Sequence, residues 1–115
     1  MQTRPSEREG SLLLRQEFDR AGLAIQENCP VEIDGVPVEL DGFDPARRIG
    51  FEFITTEAGD RKTITPELTA KLEQQMSSGS MHVLLIDEWD VETADDLILG
   101  ARRFLEALRT RGLLA

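Results

Sequence analysis

A chain of 115 residues, 40% apolar and 30% charged, suits one globular domain with a single core. Its 22 acids against 13 bases give a net charge of −9, which disfavours nucleic-acid phosphates and makes a basic protein the better-matched partner. The lone Cys29 excludes a disulfide framework and a multi-cysteine metal site. With a polar start (MQTRPSEREG) and no apolar run of membrane-spanning length, the expected setting is a reducing cytoplasm without a membrane partner.

Residues 1–10 read as a flexible N-terminus and residues 11–115 as the single domain, although Ser6-Glu7-Arg8-Glu9 offers the first helix an upstream extension. From Ser11 to about Gln26, Leu14, Phe18, Ala21 and Ile25 recur at helical spacing. Gly22 weakens this helix, and Cys29-Pro30 ends it.

Three short runs with two-residue alternation follow. Val31 and Ile33 precede Asp34-Gly35, a hairpin turn signal. Val36, Val38 and Leu40 form a second run, and Ile49, Phe51 and Phe53 a third, beyond a turn at Asp44-Pro45-Ala46-Arg47. Matching apolar residues across the second hairpin pairs Val38 with Phe53 and Leu40 with Phe51. That register sets Glu39 opposite Glu52 and makes Asp41 a diagonal neighbour of Glu52 on one face.

Residues 57–63 are a polar loop. Thr65-Pro66-Glu67 opens a second helix, with Thr as N-cap, carrying Leu68, Leu72 and Met76 on one side. Met81 to Ile86 is apolar apart from His82 and reads as a buried strand in parallel pairing, with His82 a core histidine whose hydrogen bonds are satisfied. Its end, Ile86-Asp87-Glu88, is similar to a Walker B strand, but no GxxxxGK[ST] loop accompanies it, so the chain is no such NTPase. Thr93-Ala94-Asp95-Asp96 caps a last helix carrying Ile98, Ala101, Leu105 and Leu108. Arg102, Arg103, Arg109 and Arg111 read as cations near that helix's negative end. The fold class is mixed α/β, ordered α-β-β-β-α-β-α, with a three-stranded antiparallel meander, a fourth buried strand and flanking helices.

The chemistry concentrates in the hairpin. Carboxylates on one face repel one another unless a cation or a shared proton intervenes, and an oxygen-only set suits Mg2+ or Mn2+. The plain alternative is a solvated sheet face, which Glu32 on the first strand also fits. Trp89, between acids, is a partner anchor if exposed and otherwise a lid over the base of the last helix.

The element order and the stretch Leu40 to Phe53, LDGFDPARRIGFEF, resemble the PD-(D/E)xK, or restriction-endonuclease-like, fold. The resemblance implies Asp41 and Glu52 as ligands of Mg2+ or Mn2+ in phosphodiester hydrolysis, with Glu17 or Glu39 accessory. The family's lysine position holds Ile54, so Lys62 or Lys71 would have to substitute for it. Without that lysine the water-positioning and charge-neutralising roles are lost, and an inactive or repurposed site is expected. The alternative function is a non-enzymatic acidic interaction module, an adaptor or inhibitor of a basic protein.

Overall fold

The computed structural model describes residues 4–115. The chain runs α1 (Glu7–Arg20), β1 (Gln26–Ile33), β2 (Val36–Asp44), β3 (Ile49–Ile54), a single helical turn α2 (Asp60–Thr63), α3 (Pro66–Ser78), β4 (His82–Asp87), a 3-10 turn (Glu88–Asp90) and α4 (Ala94–Thr110). The mixed α/β class and the expected element order are both present. Apart from the 3-10 turn, α2 is the one element added to that order, inside the segment read as a polar loop. No described helix is long and apolar enough to cross a membrane.

The four strands lie in chain order, β1-β2-β3-β4. The first two pairings are antiparallel, and β3 pairs with β4 in parallel, from Ile49–His82 to Ile54–Asp87. One core lies between the sheet and the helices α1 and α4, built from Leu14, Phe18, Phe51, Phe53, Leu97 and Leu105. The other lies under α3, where Leu68 and Leu72 meet Leu40, Phe43, Met81 and Val83. The sheet is therefore covered on both faces, and an acid pointing off it is not exposed by default.

The first helix differs at both ends from its expected span. It begins at Glu7, four residues early, because Ser6 and Glu9 form a capping box: the Ser6 hydroxyl accepts from the Glu9 amide at 3.1 Å. Arg4 already docks, its Nε donating to the Val91 carbonyl, so the frayed segment does not extend to residue 10. The helix ends at Arg20, before Gly22 in a left-handed conformation. Ile25 enters the core from the connection to β1 rather than from a helical turn, and Gln26 belongs to the strand. Cys29-Pro30 also lies within β1, which tolerates proline because it is an edge strand.

The β2–β3 register departs from the expected one by two residues. Gly42 pairs with Phe51, Phe43 with Gly50 and Asp44 with Ile49. Each aromatic ring covers a glycine instead of an aliphatic partner. A Cβ on Gly42 would come within 2.3 Å of the Phe51 ring, and one on Gly50 within 2.3 Å of the Gly42 carbonyl oxygen. The shift is even, yet Val38 and Leu40 do not share a face with Phe51 and Phe53: the first two lie in the α3-side core and the other two in the core against α1 and α4. The β2 strand itself changes parity: Val38, Leu40 and Phe43 all join the α3-side core, a spacing that plain alternation forbids. The switch falls at Asp41-Gly42, and across from it Asn28 takes φ 48 between the Glu27–Gly42 and Cys29–Leu40 pairs.

Asp44 fixes the turn that sets this register. Its carboxylate accepts from the amides of Ala46, Arg47 and Ala24 at 2.9–3.1 Å. Burial alone would raise its pKa, but these donors outweigh it and hold the carboxyl below its usual range.

Candidate functional site

The paired rungs between β2 and β3 stop at Gly42–Phe51, and beyond that point side chains join the two strands. The Asp41 amide donates to Glu52 Oε1 at 2.8 Å, and the Phe53 amide donates to Asp41 Oδ2 at 2.7 Å. Asp41 and Glu52 thus meet directly, closer than the diagonal placement expected. Glu52 is 2% exposed, which overturns the solvated-face reading for this residue. Glu32 and Glu39 do lie exposed.

Two acids from distant parts of the chain complete the group. Glu7 arrives from the first turn of α1, which packs closely on the sheet: a Cβ on Gly10 would lie 2.3 Å from the Phe53 ring. Glu7 Oε2 accepts from the Thr55 hydroxyl at 3.1 Å. Asp60, at the start of α2, accepts from the Thr55 amide at 3.0 Å. Glu7, Asp41, Glu52 and Asp60, with Asn28 and Glu39 at the rim, line one cavity of about 430 Å³.

The electrostatics of the cluster follow from this crowding. Burial, then the hydrogen bond and charge of Asp41, push the Glu52 carboxyl up to about 10. Burial, then the charge and hydrogen bond of Asp41, push Glu7 up to about 8, against a smaller opposing pull from Thr55. Asp60 is raised as well, by burial first and then by Asp41. With both carboxyls raised, Glu52 and Glu7 hold protons to higher pH than free glutamates, and such protons relieve the repulsion that a cation would otherwise offset. The oxygen donors have the right chemistry for Mg2+ or Mn2+. Among the described residues, however, no three acid, histidine or cysteine side chains are arranged to hold one metal ion.

The other candidate residues lie elsewhere. Glu17, 7% exposed, is held by Arg20 at 2.8 Å and Arg102 at 2.7 Å on the α1–α4 side, so the α1 acid that reaches the cluster is Glu7. Lys71 pairs with Asp34 at 3.4 Å, and Lys62 is exposed on α2; neither lines the acidic cavity. Ile54, at the lysine position of the resemblance, lines a neighbouring cavity with Arg61 and Asp87. Arg61 is itself committed: it forms a two-pronged pair with Asp87 at 2.6 and 2.9 Å and stacks on the Trp89 ring at 3.3 Å.

Trp89 is 66% exposed, standing on the 3-10 turn between Glu88 and Asp90 and forming no lid over α4. His82 is 3% exposed, a core residue as expected, but it is not satisfied: both ring nitrogens lack a hydrogen-bond partner among the described residues. Sequence reasoning overlooked Glu7 and Asp60. The Ser6-x-x-Glu9 capping box was the available signal for Glu7, whereas the loop around Asp60 carries none. Comparison with family models, curated proteins and solved structures finds no match to this chain.

Proposed function

We propose that this chain is a non-hydrolytic interaction domain on a nuclease-like scaffold, binding a basic partner through the acidic surface around Trp89. The observation that carries the reading is the make-up of the cavity at Asp41 and Glu52. Carboxylates converge there, Ile54 takes the lysine position, and Lys62 and Lys71 stay outside. Phosphodiester hydrolysis needs a positive charge against the phosphate, and among the described residues the lining of this cavity has no lysine or arginine to supply it. In support of the scaffold, the chain has the order of elements on which the resemblance rests.

The interaction reading rests on Trp89. An exposed tryptophan held in place by a stacked guanidinium, with Glu88 and Asp90 beside it, has the form of a rigid anchor in a negative field. The test is fluorescence anisotropy with a labelled Arg/Lys-rich peptide. Binding should weaken as salt rises, and Trp89→Ala should weaken it about tenfold or more. Divalent-metal-dependent cleavage of DNA or RNA, abolished by Asp41→Asn, would overturn the proposal.

A further inference from the structure

The geometry points to a second site, a groove between α1 and α4 that binds a small di- or polyphosphate. Arg20 of α1 and Arg102, Arg103 and Arg109 of α4 line a cavity of about 520 Å³ together with Glu17 and Glu106. Four guanidiniums face two carboxylates there, so the groove is positive on a chain whose net charge is −9. Helix-dipole complementarity accounts for a base in a last turn, which describes Arg20 and Arg109. It does not account for Arg102 and Arg103, which lie well before the end of α4, beyond the reach of that effect.

The groove is also organised. The nearly buried Glu17 accepts from Arg20 Nη1 at 2.8 Å and from Arg102 Nε at 2.7 Å. One nitrogen of each guanidinium is engaged and the rest of each fork is left to donate elsewhere. Arg103 has no carboxylate partner among the described residues. Guanidinium forks match the paired oxygens of a phosphate, and their spread over two helices suits two linked phosphoryl groups better than one. The acidic remainder of the surface repels a long polyanion, while a compact one meets only the local patch.

The test is calorimetric titration of the full chain with pyrophosphate at low ionic strength, with inorganic phosphate and polyglutamate as comparison ligands. Pyrophosphate should bind more tightly than phosphate. R102Q/R103Q should weaken it about tenfold or more, as loss of charge-assisted hydrogen bonds implies. R47Q/R48Q, which removes the same charge from the β2–β3 turn, should change it less than about twofold. Because Arg102 also holds Glu17, R103Q alone serves as the variant that leaves that pair intact, and it should still weaken binding several-fold. Equal loss in the groove and turn variants, unchanged binding in R103Q, no heat with pyrophosphate, or preference for polyglutamate would each overturn the assignment.

Discussion

Asp41 and Glu52 clamp each other across the opening of the sheet. The Asp41 amide donates to Glu52 Oε1 at 2.8 Å, and the amide following Glu52, that of Phe53, donates to Asp41 Oδ2 at 2.7 Å. Two carboxylates this close stay together because at least one carries a proton. The clamp takes the place of the backbone rungs that β2 and β3 lose after Gly42–Phe51. It makes the cluster part of the fold as well as a candidate site.

Glu52 should make the protein less stable as pH rises. Its folded pKa is raised from 4.5 to about 10, so over that range the folded state binds a proton that the unfolded state has released. Its contribution is therefore fully present below about pH 4.5 and is lost as pH rises through the folded value. Glu7, raised to about 8, adds to the same slope at lower pH. Glu52→Gln keeps an oxygen for the Asp41 amide and an N–H for the Asp41 carboxylate but does not titrate. Calorimetric melts between pH 5 and 9 should show a flatter profile for the variant and a higher Tm than the parent at pH 9. A profile identical to the parent would mean that Glu52 is already ionised in the folded protein.

Asp41 separates the structural role from the electrostatic one. Asp41→Asn retains an acceptor for the Phe53 amide, whereas Asp41→Ala leaves that amide without one. The alanine variant should lose about 2 kcal/mol more than the asparagine variant in urea unfolding, the usual cost of leaving a buried amide without its acceptor. Both remove the negative charge that helps raise Glu7 and Glu52. Carboxyl carbon NMR titration of Asp41→Asn should find both glutamates moved down toward 4.5 but still above it, since burial is the larger cause of each shift.

The parts of this architecture legible in the sequence are those written locally. Thr65 caps α3 through the Leu68 amide at 3.2 Å, and Asp96 accepts from the Thr93 amide at the start of α4, as their spacing implies. The apolar run at β4 pairs in parallel with β3. The β2–β3 register was not legible, because matching apolar with apolar overlooks a ring lying over a glycine, as Phe51 does at Gly42. The cluster was half legible for a related reason. Asp41 and Glu52 share a hairpin, but Glu7 and Asp60 reach it only through the packing of α1 and the path of the loop after β3. Ile25 shows the converse failure: its spacing from Phe18 and Ala21 is helical, yet it joins the core from outside α1.

Gly50 should be the least replaceable residue of the hairpin. A Cβ there would meet the Gly42 carbonyl oxygen at 2.3 Å and the Phe43 backbone at 2.9 Å, and backbone cannot swing aside as a side-chain tip can. Gly42→Ala meets the Phe51 ring at 2.3 Å instead, and that ring has rotational room only at the expense of core packing with Phe18, 5.0 Å away between centroids. Urea unfolding should show both variants destabilised, Gly50→Ala by about 3 kcal/mol and Gly42→Ala by less. The reverse order would place the tighter constraint on the aromatic ring.

His82 should produce the opposite pH limb. Its imidazole is buried with both nitrogens unpartnered among the described residues, and burial, followed by the charge of Arg111, holds its pKa below the usual 6.5. The folded state keeps it neutral while the unfolded state protonates near 6.5, so the unfolded state binds more protons as pH falls. The stability His82 contributes is present above about pH 6.5 and is lost as pH drops through the folded value. Asp44 and Asp87, both lowered, lose stability only at still lower pH, near the ordinary carboxylate range, while Glu52 and Glu7 gain it as pH falls from about 6.5 to 5, so the histidine is read as the difference between parent and variant. His82→Leu removes an unsatisfied buried polar ring in favour of a side chain suited to its neighbours Ile49 and Leu84. As pH falls across that window, Tm should rise more steeply in the leucine variant than in the parent, because only the parent carries the opposing loss at His82. A parent and variant that run parallel from pH 7 to 5 would show that the imidazole accepts its proton in the folded state without penalty.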